Sequence, residues 1–276
     1  MTRAGVVGWP ISHSRSPLIH GYWLERYGID GVYDRHAVAP VDVAQFFRTL
    51  RERGMAGCNV TLPHKEAAFT AAVETKPAAK AAGSANTLWF EDGRLIADNT
   101  DAAGFLNSLL AAVPGLDLAG KTVAILGAGG AARGIIFALL GAGVGTVHLF
   151  NRTRARADAV AAYFGAKVQA HDWDNREAGS RGADLLVNTT SLGLHGGAPL
   201  GFDVASLKAA CIVADIVYVP LETPLLATAR ALGLRAVDGL GMLLYQAVPG
   251  FEKWFGVRPE VTEELRALVI RDIEGA

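Results

Sequence analysis

Lys65 closes the run Asn59-Val60-Thr61-Leu62-Pro63-His64-Lys65. Proline suits the opening of a helix, because its fixed φ is already helical and its missing N–H has no partner to lose. The spacing therefore predicts a helix starting at Pro63, with Lys65 in its first turn. There the ammonium meets the positive end of the helix dipole. A lysine in that setting suits the giving or taking of a proton, although a surface lysine on an amphipathic helix has the same spacing. Asp98-Asn99-Thr100-Asp101 offers the carboxylate such a lysine would need. Asp and Thr also cap helices, so capping the next helix and pairing Asp101 with Lys65 both fit. Ser12, Ser14 and Ser16 form either an anion-binding cluster of hydroxyls or a serine-rich turn.

A second constellation points to a nucleotide. Gly127-Ala128-Gly129-Gly130-Ala131-Ala132 fits G-x-G-x-x-A between the apolar run Thr122 to Leu126 and an apolar helical stretch to about Ala142. Small residues there let the backbone reach a pyrophosphate, which then sits on the helix N-terminus. The next strand, Thr146 to Phe150, leads into Asn151-Arg152-Thr153-Arg154-Ala155-Arg156. An NAD site usually places Asp or Glu there for the ribose 2′-hydroxyl. With Thr153 as N-cap, Arg154 and Arg156 fall in a first helical turn, where cations are disfavoured unless a 2′-phosphate is bound between guanidinium groups. The pattern favours NADP over NAD.

Other chemistries lack their signatures. The seven histidines contain no H-E-x-x-H, and Cys58 and Cys211 lie far apart with no C-x-x-C, so no metal site is expected. No G-x-S-x-G nucleophile elbow occurs. Cys58 beside Asn59 has no evident base and reads as a packed core thiol.

The elements that must position these residues alternate. A strand at Gly5 to Trp9 precedes a helix opened by Pro17 and closed by Gly28, with Ile19, Tyr22, Trp23 and Tyr27 on one face. Val43, Phe46, Phe47 and Leu50 repeat the helical spacing. A short strand at 56–62 follows, then a hairpin around Asp92-Gly93. From about residue 102 the strands 122–126, 146–150, 184–188, 212–216 and 235–238 alternate with helices, the pattern of a doubly wound parallel sheet. Helices at about 241–254 and 262–273 end the chain. The 276 residues suit one large domain or two modest ones. With 51% hydrophobic and 19% charged residues the chain is not disordered. Lys plus Arg total 26 and Asp plus Glu 27, a balance unlike that of a nucleic-acid or membrane-surface binder. No stretch is long and apolar enough for a membrane span. A reducing, cytoplasmic setting is expected.

In this order, and over nearly the whole chain, the motifs resemble the shikimate dehydrogenase family. Gly8-Trp9-Pro10-Ile11-Ser12-His13-Ser14-Arg15-Ser16-Pro17 is similar to the family's substrate-binding opening. The resemblance implies that Ser14 and Ser16 hold the substrate carboxylate. Asn59 to Lys65 looks like the catalytic lysine motif, with Asn59 and Thr61 toward the substrate. Ala85-Asn86-Thr87 and Asn99-Thr100-Asp101 resemble the motifs that follow, which makes Asn86 a substrate contact and Asp101 the partner of catalytic Lys65. Gly127, Ala128, Gly129, Gly130 and Ala131, with Asn151, Arg152, Thr153 and Arg156, look like the NADP loops. Asn188-Thr189-Thr190-Ser191 and Asp215-Ile216-Val217-Tyr218 resemble loops flanking the nicotinamide, Ile216 toward the cofactor and Tyr218 toward the substrate. Gly239-Leu240-Gly241-Met242-Leu243 to Gln246 resembles the closing motif, Gly239 toward cofactor and Gln246 toward substrate. Gly21, Ala102 and Leu194 depart from the commoner Asn, Gly and Met.

The resemblance implies reversible NADPH-dependent reduction of 3-dehydroshikimate to shikimate. It also implies an α/β chain of two domains. Residues 1–101 with 242–276 would form an α/β substrate-binding domain, and 102–241 a Rossmann-type doubly wound parallel sheet. The ligands would be a small molecule and NADP, with no metal, nucleic acid or membrane, and the chain a monomer or homodimer. Two alternatives stand beside it. One is a quinate/shikimate dehydrogenase using NAD or NADP. The other is a non-catalytic NADP-binding sensor, which Lys65, Asp101 and the Ser14/Ser16 pair argue against.

Overall fold

A computed structural model describes residues 1–194 and 197–275. The chain divides into two compact units, Met1–Gly104 with Leu244–Ala276, and Phe105–Leu243.

In the first unit β1 (Thr2–Gly8), α1 (Ser16–Arg26), β2 (Gly31–Ala37), α2 (Val43–Arg48), β3 (Gly57–Val60), α3 (Lys65–Ala71), β4 (Glu74–Thr75), α4 (Pro77–Ala82), β5 (Thr87–Glu91) and β6 (Arg94–Asp98) follow one another. Then α5 (Asp101–Ala112) begins. The six strands lie in the order β2-β1-β3-β5-β6-β4. β1 is parallel to β2 and to β3, while β5 is antiparallel to both β3 and β6. The ends of β1, β3 and β6 and the start of β5 therefore share one rim of the sheet. The β5–β6 hairpin turns at Asp92 and Gly93, both at positive φ (48° and 76°), the conformation Asp-Gly is suited to supply.

Period-two alternation on the strands and helical spacing on α2 build one core from Val7, Phe46, Phe47, Leu50, Cys58 and Leu88. Burial pushes the Cys58 thiol well above its ordinary value, so it is the inert core thiol its sequence setting indicated. The opposite face is aromatic. Trp23 of α1 donates from Nε1 to the Glu260 carbonyl at 2.9 Å, and Trp254 donates to the Leu88 carbonyl at 2.9 Å. Gly57 makes the second approach possible, since a Cβ there would overlap the Leu88 oxygen and the Trp254 indole nitrogen.

The second unit continues α5 into β7 (Thr122–Leu126), α6 (Gly130–Gly141), β8 (Thr146–Asn151), α7 (Arg154–Phe164), β9 (Val168–Asp172), α8 (Arg176–Ser180), β10 (Leu185–Asn188), β11 (Ile212–Asp215), α9 (Pro224–Ala231) and β12 (Arg235–Val237). Its sheet is parallel throughout, in the order β12-β11-β10-β7-β8-β9. Helices cover both faces, which is why the strands are apolar without alternation. Val123 and Ile125 of β7 join the cluster that holds Ile135, Leu139 and Val160, whereas Ala124 and Leu126 join the one that holds Leu225, Leu226 and Ala229. The chain order reverses between β7 and β10, and at such a switch point ligands bind beyond the carboxyl ends of the strands. α10 (Leu240–Tyr245) then leads back to α11 (Ala247–Phe255) and α12 (Glu263–Glu274) of the first unit.

Several elements differ from the sequence expectations. β2, β4 and β9 lie outside the expected strands, because each is an edge of its sheet and carries polar residues, such as Asp34-Arg35-His36, Glu74-Thr75 and His171-Asp172. α9 announces itself only through Thr223, whose side chain caps the helix, and Pro224 behind it. α3 starts at Lys65 rather than Pro63, which lies in the preceding turn. The expected helix 241–254 is two helices that meet at Gln246. Thr153 occupies the N-cap of α7 without accepting a bond through its side chain.

Candidate active site

On the rim of the first sheet two helix starts face each other chemically. Lys65 is the first residue of α3 and Asp101 the first of α5. Lys65 Nζ donates to Asp101 Oδ2 at 2.6 Å, with side chains 26% and 17% exposed. The dipole of α5 favours the carboxylate, while that of α3 opposes the ammonium. Asp101 Oδ1 accepts a second bond from Asn86 Nδ2 at 2.9 Å. The amide oxygen of Asn86 accepts from the Thr100 N–H at 2.8 Å, which fixes its flip. Gln246 closes the group, its Oε1 3.4 Å from Asn86 Nδ2 and its carbonyl accepting from Thr100 Oγ1 at 2.8 Å. Gly104 permits that approach, since a Cβ there would stand 2.7 Å from Gln246 Cβ. Asp101 thus has two donors, while the other hydrogens of the Lys65 ammonium meet no partner among the described residues.

The serines lie where β1 leads into α1. Ser14 Oγ accepts from the Ser16 N–H at 3.3 Å, which leaves its proton free to point elsewhere. Ser16 is the first residue of α1 and is buried. Ser12 is exposed. Thr61 follows β3 half-buried, its N–H on the Val7 carbonyl at 2.9 Å. Asn59 is differently placed. Its Oδ1 accepts from the Tyr33 hydroxyl at 2.6 Å, and its Nδ2 donates to the Asn86 carbonyl at 3.2 Å and Thr87 Oγ1 at 3.1 Å. Both amide hydrogens are committed within the protein, so Asn59 frames the rim rather than offering a donor to a ligand.

In the second unit the glycine loop joins β7 to α6. Gly127 has φ of +102°, and a Cβ there would lie 2.9 Å from Thr189 Oγ1, so only glycine fits without strain. The Ala128 N–H donates to Asn151 Oδ1 at 3.1 Å, and Asn151 Nδ2 donates to the Thr153 carbonyl at 2.8 Å. Gly129 is the N-cap of α6 and brings no side-chain acceptor, so the first-turn N–H groups at Gly130 and Ala131 lack a side-chain cap. Beyond β8 the three arginines separate. Arg154 is neutralised by Asp158 at 2.8 Å and Asp172 at 3.4 Å. The guanidinium groups of Arg152 and Arg156 have no hydrogen bond or ion pair among the described residues. A glycine turn, an uncapped helix start and two unpaired guanidinium groups fit a pyrophosphate with a 2′-phosphate.

Asp215, which sequence reasoning gave no role of its own, ties together the loops after β10 and β11. Its Oδ1 accepts from Asn188 Nδ2 at 2.9 Å and the Val217 N–H at 3.0 Å, and its Oδ2 from Thr223 Oγ1 at 2.8 Å. Burial pushes this carboxyl above its usual range, against the pull of those donors. The Ile216 N–H donates to the Asn188 carbonyl at 3.1 Å. Gly239 lies so close to the Ile216 carbonyl that a Cβ would overlap it. Tyr218 is half-buried in the loop after β11, in the second unit, apart in sequence and unit from the other expected substrate residues.

One further string, Gly115-Leu116-Asp117-Leu118-Ala119-Gly120-Lys121-Thr122, matches the pattern of a phosphate-binding loop. Its position argues against that reading, because Thr122 opens strand β7 instead of a helix. Its N–H groups are also spent: Ala119 on Asp117 Oδ1, Gly120 on the Gly143 carbonyl, Lys121 on the Leu118 carbonyl and Thr122 on Asp184 Oδ2. Among the described residues no group of three or more His, Cys, Asp or Glu could hold a metal ion, and no helix is long and apolar enough to cross a membrane.

Comparison with known proteins agrees on one family. Residues 6–88 match the shikimate dehydrogenase substrate binding domain, 109–193 the shikimate / quinate 5-dehydrogenase domain and 239–269 the shikimate 5′-dehydrogenase C-terminal domain. A shikimate dehydrogenase (NADP(+)) of Azorhizobium caulinodans is 54% identical over 99% of this chain and 97% of its own. The shikimate 5-dehydrogenase of Thermus thermophilus, solved with NADP(H) and shikimate, is 36% identical, covers 98% of this chain and 99% of its own, and has a TM-score of 0.86. A quinate dehydrogenase of Corynebacterium glutamicum, solved with NAD, is 30% identical over 98% of each chain with a TM-score of 0.89.

Proposed function

The chain belongs to the shikimate dehydrogenase family, and on that premise we propose that it catalyses the reversible, NADPH-dependent reduction of 3-dehydroshikimate to shikimate. The observation that carries the assignment of its chemistry is the Lys65–Asp101 contact of 2.6 Å on a rim shared with Asn86 and Gln246. NADP, when bound, supplies or accepts the hydride. The protein must then move one proton at the substrate oxygen. Lys65 donates it to the carbonyl oxygen during reduction and takes it back during oxidation. Asp101 holds the ammonium in place and stabilises its charge. Asn86 and Gln246 orient the substrate hydroxyls, and Thr61 and Tyr218 add contacts. Ser14 and Ser16 hold the carboxylate. Asn59 serves from behind, by fixing the backbone at Asn86 and the Thr87 hydroxyl.

The cofactor belongs to the second unit. Gly127, Ala128, Gly129, Gly130 and Ala131 take the pyrophosphate, Asn151, Arg152, Thr153 and Arg156 the adenosine end, and Ile216 and Gly239 the nicotinamide end. We read the two units as a substrate domain and a cofactor domain. The balance of 26 basic and 27 acidic residues supports a chain that works away from nucleic acid and membrane surfaces; we place it in the cytoplasm, as a monomer or homodimer.

Following the NADPH absorbance band with shikimate, and separately with quinate, tests the reading. Turnover with shikimate and little with quinate is expected. No turnover with shikimate overturns it, and comparable rates on both substrates would replace it with a quinate/shikimate dehydrogenase.

A further inference from the structure

Tyr33 and Arg35 stand two residues apart on β2 and so on one face of that strand. β2 is the edge strand of its sheet, paired only with β1. Each of the two side chains ends on a different part of the rim where the substrate carboxylate is placed. Arg35 donates twice to one acceptor, the Ser14 carbonyl, from Nε at 3.0 Å and Nη2 at 2.6 Å. The next residue along, Arg15, forms an ion pair with Asp272 Oδ2, 2.8 Å from its Nε. The segment that carries both serines is thus tied through two guanidinium groups. Tyr33 is buried, stacked on His20 with ring centroids 3.9 Å apart and planes 5° from parallel. Its hydroxyl donates to Asn59 Oδ1 at 2.6 Å, and Asn59 in turn donates to the Asn86 carbonyl at 3.2 Å. Burial keeps this phenol protonated, so it remains a donor to Asn59.

We propose that β2 positions the carboxylate subsite through Arg35, which fixes the Ser14 backbone, while Tyr33, two residues before it, supports Asn59 and through it the Asn86 side of the rim. The inference rests on the reading that Ser14 and Ser16 hold the carboxylate. Neither residue touches substrate in this account. Arg35 acts through Ser14, by keeping the two hydroxyls of that segment at the spacing of one carboxylate. Such pre-ordering lowers the entropy lost on binding. It acts on substrate affinity and leaves the proton-transfer pair alone.

The test measures KM and kcat of the intact enzyme with shikimate and with its primary carboxamide, which keeps the ring hydroxyls and loses the charge. Tyr33→Phe keeps the stack on His20 and removes one hydroxyl, so folding is preserved. Arg35→Ala removes the clamp, and Arg35→Lys retains a single donor. Arg35→Ala is expected to raise KM for shikimate about three- to tenfold, the scale of one lost hydrogen bond in a partly exposed site, whereas Tyr33→Phe, which touches the Asn86 side, should affect acid and carboxamide alike. Arg35→Lys should fall between, and kcat and the KM for NADP should move less than about twofold. The carboxamide should show little of the Arg35 effect. Equal losses of Arg35→Ala on acid and carboxamide would reduce Arg35 to general scaffold and overturn the inference. Normal KM in Arg35→Ala, with a raised KM in Ser14→Ala/Ser16→Ala, would overturn it and leave the serine reading standing. Normal KM in the double serine variant would overturn that reading and the inference together.

Discussion

Lys65 Nζ lies 2.6 Å from Asp101 Oδ2 across 36 residues of sequence, each residue opening its own helix. The two dipoles act in opposite directions on the pair, one against the ammonium and one for the carboxylate. A lysine has little structural reason to open α3, and the partner that compensates it is also held by Asn86. The arrangement holds a proton donor in place at a partly exposed position. Replacing Lys65 by Met should therefore lower kcat by about 10²–10⁴, the usual cost of removing a general acid–base group, while shikimate and NADP still bind. Asp101→Asn should also impair turnover, and the double variant should fall well short of additive because the residues work as a unit. Steady-state rates with separate binding titrations decide it. A Lys65→Met enzyme with near-normal kcat would send the proton elsewhere.

Cofactor choice turns on two cations. Arg154 is already paired with Asp158 and Asp172, so the burden falls on Arg152 and Arg156. A hydrogen bond to a charged group contributes about 1.5–3 kcal/mol. Arg152→Ala with Arg156→Ala should weaken NADP by about a hundredfold or more and leave NAD almost unchanged. Arg154→Ala should matter much less. Equal efficiency of the unmutated enzyme with NAD and NADP would defeat the assignment.

The second sheet was legible almost strand by strand, because its parallel strands are buried on both faces and read as unbroken apolar runs. The strands that escaped, β2, β4 and β9, are edges, where half the surface meets solvent and polar residues such as Arg35, Glu74 and His171 are allowed. Lys65 and Asp101 could be named as separate candidates from their local spacing. Their pairing was one of two readings open to the sequence, and the fold decides for it by bringing two loops to one rim. Asn59 shows the opposite limit. Its residue type and motif pointed to a ligand contact, and only its neighbours reveal that both amide hydrogens are spent. The string ending Gly120-Lys121-Thr122 shows that a pattern without its strand-then-helix context carries no chemistry.

Ser14 and Ser16 should report on substrate and not on cofactor. Two hydroxyls can donate to the two oxygens of a carboxylate, and the start of α1 adds favourable potential. Ser14→Ala with Ser16→Ala should raise the KM for shikimate by at least about tenfold, with the NADP dissociation constant unchanged. A double variant with normal KM would refute the placement of the carboxylate.

Acid stability should depend on His20. The ring is fully buried among Trp23, Tyr33, Phe251 and Trp254. Burial lowers its pKa from 6.5 to about 3, against a smaller opposing contribution from Asn59. Between those values the unfolded chain takes up a proton that the folded chain refuses. Stability must therefore rise with pH through this window, be complete above the unfolded value, and fall as acid is added. From pH 7.5 to pH 5 the loss from this one residue is about 2 kcal/mol. His36, His148 and His171 are also lowered by partial burial and steepen the same slope. His20→Phe keeps an aromatic ring in the stack and removes only the titrating group, so the other histidines cancel in the comparison. Urea unfolding at the two pH values should show the variant losing about 2 kcal/mol less than the unmutated protein. Equal losses in both would mean that His20 is protonated in the folded state, or that its site admits water on acidification.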